Sequence, residues 1–180
     1  MAPVPDATRA QDWEVRRARL YELQNWRLTG RVAFQLEREA WSATLHWQQR
    51  NGEYVLRVIA PLGRGSFELT GSDSGVMLRT ADNRLLHADD AQALLRQNLG
   101  WELPVSGLFY WIRGLPEPTQ SADTIRFDER GRIHDLRQDG WEISYQRYES
   151  ASGYELPGKM TLQNDRLRLR LTIRDWTVSS

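Results

Sequence analysis

Cysteine is absent from this 180-residue chain, and lysine occurs once, at Lys159. Without thiols there is no disulfide framework, no thiolate metal site and no cysteine nucleophile. Histidine is scarce: His46, His87 and His134 stand far apart, and none makes a His-x-x-x-His or Glu-x-x-His spacing. No metal site or cofactor is therefore expected. Neither charge sign dominates, because 24 Lys and Arg face 24 Asp and Glu, so no broad positive field draws nucleic acid. No apolar run approaches the ~18–20 residues of a membrane-spanning helix. No signal peptide is recognisable. Residues 1–8 read as a flexible lead-in, and 9–180 as one domain large enough to bury a substantial core.

What the chain does hold is aromatic weight and alternation. Eight tryptophans stand beside four phenylalanines and six tyrosines, and such rings bury much surface or line cavities. Residues 9–25 read as a helix with Trp13, Leu20 and Leu23 on one side. From Trp26 the period becomes two. Leu28, Gly30, Val32, Phe34 and Leu36 alternate with polar or small neighbours, and Trp41, Ala43, Leu45 and Trp47 repeat the pattern. Asn51-Gly52 marks a hairpin, since both residues tolerate positive φ. Residues 54–59, 66–70 and 75–80 continue a meander of short strands.

The alternation then breaks. Asp89-Asp90 suits the cap of a helix that Gly100 ends, and Pro104 opens a second helix over about 105–113. Strands resume at 124–127, 133–138 and 141–145. The last is the cleanest, with Leu167, Leu169, Leu171 and Ile173 set against Arg166, Arg168, Arg170 and Arg174. One face of the sheet is apolar and the other solvated. About ten or eleven antiparallel strands cannot stay flat, and a curled sheet with helices at its concave side is the economical solution. Patterning leaves open whether such a fold is packed solid or hollow.

Motifs of catalysis are missing. Gly71-Ser72-Asp73-Ser74-Gly75 has aspartate where an esterase elbow needs serine, and it joins strands rather than leading into a helix. Gly63-Arg64-Gly65 opens no helix and lacks the lysine of a phosphate loop. On the residues alone an enzyme stays possible and unsupported. The stretch Ala60-Pro61-Leu62-Gly63-Arg64-Gly65 is informative in another way: it is a tight turn with a bare leucine at its tip. A leucine there needs its own core, a partner or a membrane to enter.

These landmarks resemble the LolB family of outer-membrane lipoprotein acceptors. The resemblance rests on Asn25-Trp26-Arg27-Leu28-Thr29-Gly30-Arg31, Trp47-Gln48-Gln49, Pro61-Leu62-Gly63, Trp111-Ile112-Arg113-Gly114-Leu115-Pro116, Leu156-Pro157-Gly158-Lys159-Met160 and Asp175-Trp176. It implies a mainly β (α+β) fold, an unclosed antiparallel half-barrel whose helices enclose an apolar cavity. It also implies a function: accepting lipoproteins from the LolA-like periplasmic carrier, holding their acyl chains, and inserting them into the inner leaflet of the outer membrane. The place implied is the periplasmic face of that membrane, natively with a lipid anchor on an N-terminal cysteine, a residue this sequence lacks.

The resemblance assigns Leu62, with Pro61 and Gly63, to a membrane-insertion loop, the alternative being a leucine folded back on its own core. Phe109, Trp111, Ile112 and Leu115 are read as lining the cavity mouth, the alternative being a plug of core. The inward sets Leu28, Val32, Phe34, Trp41, Leu45, Trp47, Leu56, Val58, Trp141, Ile143 and Tyr145 divide between solid core and acyl-chain lining, and alternation does not separate the two. A general lipid or fatty-acid binding module and, less favoured, an acyl hydrolase remain as other functions. A hydrolase would lose activity on loss of one Ser, His or Asp, whereas a carrier would respond to cavity-filling changes.

Overall fold

A computed structural model describes residues 6–61, 65–100 and 102–179. Helix α1 (Asp6–Glu22) precedes strands β1 (Asn25–Leu36), β2 (Glu39–Arg50), β3 (Glu53–Ile59), β4 (Phe67–Ser72), β5 (Gly75–Thr80) and β6 (Leu85–Ala88). Helices α2 (Ala91–Leu99) and α3 (Val105–Trp111) follow. Strands β7 (Thr124–Phe127), β8 (Ile133–Gln138), β9 (Trp141–Ala151), β10 (Tyr154–Gln163) and β11 (Leu167–Ser179) complete the order.

All eleven strands form one antiparallel sheet, ordered β6-β5-β4-β3-β2-β1-β11-β10-β9-β8-β7. Its two edges do not pair with each other, so the sheet curls without closing. The first and last strands meet at its centre, with Asn25 opposite Ser179 and Leu36 opposite Leu167. Each half is a meander of neighbouring strands, and the segment bearing α2 and α3 joins the two edges.

Alternation decides which face is buried. One apolar row runs through Trp41, Phe34, Leu169, Leu162, Ile143, Leu136 and Ile125, each opposite the next across the ladder. A second runs through Leu78, Leu69, Leu56, Trp47 and Leu28. Burying one such side chain contributes about 1.5–3 kcal/mol, so a one-residue slip that turned a strand over would be costly. The opposite face carries Arg31, Arg168, Arg170 and Arg174, all exposed.

Local signals account for most boundaries. Asn51 and Gly52 both have positive φ (50° and 81°), as a two-residue hairpin turn demands. The Asp90 carboxylate accepts from the Gln92 N–H and caps α2, and Gly100 closes that helix in the left-handed region (φ 73°). At Gly30 the reason is space. A Cβ there would sit 2.3 Å from the Thr172 carbonyl oxygen, where β1 and β11 shift register between Thr29 and Gly30. The Tyr54 ring reaches over Gly71 on the neighbouring strand, filling the room a side chain would take.

Candidate functional site

Helices α2 and α3 touch each other, and α2 packs on β5 and β6. The apolar faces of all three helices join the concave face of the sheet in one core. The expected inward residues lie there. Leu28, Val32, Phe34, Leu45, Trp47, Leu56, Val58, Trp141, Ile143 and Tyr145 are buried, while Trp41 is half-buried and stacks on Phe34 with centroids 4.0 Å apart. Of the four residues assigned to the mouth, Trp111, Ile112 and Leu115 are fully buried, and Phe109 is half-buried.

Trp111 is held by polar contacts as well as by packing. Its indole N–H donates to Gln138 Oε1 at 2.8 Å, and its carbonyl accepts from the Tyr145 hydroxyl at 2.6 Å. Gln138, fully buried, also accepts from the Glu117 N–H and donates to the carbonyls of Glu117 and Gln120. Every hydrogen-bonding group of that amide oxygen and nitrogen pair is thus engaged inside an apolar core, where an unmade bond would be expensive. Burial, reinforced by Tyr148, holds the Tyr145 hydroxyl well above the usual tyrosine range, so it stays protonated as a donor.

Arg113 ties the Trp111–Pro116 stretch to α1. Its Nη1 donates to the carbonyls of Leu20 and Leu23, and its Nε to that of Phe109. The Leu20 and Leu23 carbonyls stand at the C-terminus of α1, where helical partners run out and the helix dipole favours a cation. Burial lowers the pKa of Arg113 from the usual arginine value, opposed by Tyr110 and Tyr21. The Tyr21 hydroxyl donates to the Pro116 carbonyl nearby, and Arg16 joins α1 to Glu155 on β10 at 2.7 Å. Sequence patterning did not single out Arg113 or Gln138. The signal available for Arg113 was a lone cation at the end of an otherwise apolar helix.

The two ends of the sheet differ. Antiparallel register brings the 36–39, 59–67, 80–85 and 163–167 connections to one end, here the Leu36 end. There Ser66 Oγ accepts from the Ala60 N–H at 2.8 Å and closes the base of the expected insertion loop. Pro61 is exposed; Leu62 and Gly63 lie outside the described residues. Ile59 and Leu85, 43% and 49% exposed, belong to this same end. A cleft of about 100 Å³ opens there between Phe34, Trp41, Gly100 and Leu167. At the opposite end, Trp26, Trp47, Phe109 and Tyr54 form an aromatic cluster, with Phe109 edge-on to both Trp47 (5.1 Å) and Tyr54 (4.8 Å). Burial, with Asp90 nearby, pushes the Tyr54 hydroxyl up to about 12.

Among the described residues no group of three or more His, Cys, Asp or Glu side chains is placed to hold a metal ion. No described helix is long and apolar enough to cross a membrane.

An open antiparallel sheet with helices against its apolar face is also the fold of a solved LolA superfamily protein. That protein, from Nitrosomonas europaea, superposes with a TM-score of 0.56 at 6% identity, covering 98% of this chain and 94% of that one. A DUF1329 family protein from Desulfovibrio piger gives 0.54 at 9% identity, over 99% and 94% of the two chains. The chain itself belongs to the LolB family: the family model of the outer membrane lipoprotein LolB matches residues 24–176. The outer-membrane lipoprotein LolB of Pseudomonas paraeruginosa is 42% identical over 93% of this chain and 81% of its own length. That of Nitrosococcus oceani is 42% identical over 97% of this chain and 87% of its own.

Proposed function

We propose that this protein is an outer-membrane lipoprotein localisation factor that takes an acylated lipoprotein from a LolA-like periplasmic carrier and releases it into the inner leaflet of the outer membrane. The observation that carries this reading is the continuous apolar lining of an unclosed sheet, which ends beside a loop flanked by exposed aliphatic side chains. Acyl chains would lie against Leu28, Val32, Leu45, Leu56 and Ile143, entering as α2 and α3 swing away from the sheet. The Leu36 end would face the membrane, with Leu62 as the inserting residue and Pro61 and Gly63 shaping its turn.

The energetics are consistent with that role. Each methylene removed from water contributes about 0.8 kcal/mol, so a multiply acylated protein cannot cross the aqueous space unshielded. A one-way handover needs only that each acceptor bind more tightly than the preceding donor. No nucleophile or nucleotide takes part, and the protein acts as a carrier rather than an enzyme. One leucine in the bilayer supplies about 1.5–3 kcal/mol, enough to bias an encounter and too little to anchor the protein.

The test is a transfer assay in which the protein is mixed with carrier loaded with a triacylated lipoprotein and the holder of the cargo is followed. Movement onto this protein without ATP is expected. Leu62→Glu should keep that step and lose delivery to vesicles. Cargo that stays on a competent carrier while an apolar dye still binds would overturn the lipoprotein role in favour of general lipid binding.

A further inference from the structure

One feature of the interior is out of keeping with an apolar lining. Trp47 is 2% exposed, yet its indole N–H has no hydrogen-bond partner. Two residues further along β2, on the same concave face, the side-chain oxygen Oε1 of Gln49 is also buried and unpartnered. Two other indole N–H groups are satisfied: that of Trp111 meets Gln138 and that of Trp176 meets the Pro157 carbonyl, each at 2.8 Å. A buried indole N–H normally finds a partner, and leaving it bare costs stability that phenylalanine at the same place would not. The orphans are a donor and an acceptor, two positions apart on the concave face of β2.

Phe109 packs on Trp47 and on Tyr54, the cross-strand partner of Gln49. Its half-buried ring stands edge-on to Trp47 and Tyr54 and comes from the short helix α3. Displacing that ring uncovers Trp47 and Tyr54, the latter standing opposite Gln49 across the ladder.

We propose that Trp47 and Gln49 form a polar subsite for the secondary amide that joins an acyl chain to its head, the Trp47 N–H donating to the amide carbonyl and Gln49 Oε1 accepting from the amide N–H. In a trans amide the carbonyl and N–H point in opposite directions, so one group laid between the two side chains satisfies both. An ester has the carbonyl and lacks the N–H; an ether lacks both. The subsite thus ranks single-chain ligands by their linkage while the apolar rows hold the chain. The assignment rests on the acyl-binding role proposed above and names the linkage that role favours.

Three probes with the same chain separate the possibilities: N-lauroylethanolamine (amide), ethylene glycol monolaurate (ester) and ethylene glycol monododecyl ether. Their affinities for the whole protein are measured by displacement of an apolar fluorescent dye. Ratios between variant and parent cancel the probes' differing solubilities. Trp47→Phe should weaken the amide and ester by about two- to tenfold and leave the ether unchanged. Gln49→Met should weaken the amide alone, by a similar factor. Equal effects of either variant on all three probes, or no effect on any, would overturn the subsite while leaving acyl binding intact. Failure of the unaltered protein to bind any probe would overturn both readings.

Discussion

Nη1 of Arg113 donates to the carbonyl oxygen of Leu23 at 3.0 Å, and the same nitrogen reaches Leu20 at 3.1 Å. One guanidinium thus terminates α1 and fixes the turn after α3. Arg113→Met fills similar volume without donors and takes this partner from the Leu23 and Phe109 carbonyls. A loss of about 2–3 kcal/mol in urea unfolding is expected. An unchanged midpoint would show that water replaces the guanidinium at no cost.

Gln138 invites a different substitution. Gln138→Leu conserves volume but strands the Trp111 indole N–H, the Glu117 N–H and two carbonyls. The expected loss is about 2–4 kcal/mol, again read from chemical denaturation. A leucine variant as stable as its parent would contradict the count of bonds made by this amide.

Gly30→Ala tests close approach. The added methyl would meet backbone, the Thr172 carbonyl at 2.3 Å, rather than a side chain that can rotate away. A cost of about 2–3 kcal/mol follows, accompanied by loosening of β1 against β11. Amide exchange of the Thr172 region should quicken; an unchanged exchange pattern would count against the clash.

Alkaline pH offers a reading on Tyr54. Burial, with Asp90 second, raises its hydroxyl to about 12, whereas a tyrosine in the unfolded chain ionises near 10. Folding favours the neutral form, so this contribution is whole below pH ~10 and is lost as pH climbs through about 12. The parent protein should therefore lose stability more steeply across that window than Tyr54→Phe. Parallel curves would place Tyr54 in contact with solvent.

Much of the architecture was legible in alternation. The inward residues of β1, β2 and β11 stand where a period of two places them, and Asn51-Gly52 and Gly100 end their elements as turn chemistry requires. Two strands were not. Pro157 and Gly158 argue against a sheet interior, yet they occupy β10, which accommodates them through register shifts between Pro157 and Met160. Strand β6 is only Leu85–Ala88, too short for a period to declare itself. The helix read over 9–25 runs from Asp6 to Glu22, because Asn25 already pairs in the sheet. At the candidate site, the inward residues were legible as a set. Their hydrogen bonds were not, since Gln138 meets Trp111 across 27 positions and Arg113 meets Leu20 across 93.

The strand order has a consequence for how the protein tolerates crowding. A sheet that never closes must leave two ladders unpaired, and an unpaired ladder is a template on which other chains assemble. Here the long strands, 12 and 13 residues in β1 and β11, are sealed at the centre, and the borders are β6 and β7, four residues each. The molecule keeps an open sheet while offering its neighbours little backbone on which to start a fibre.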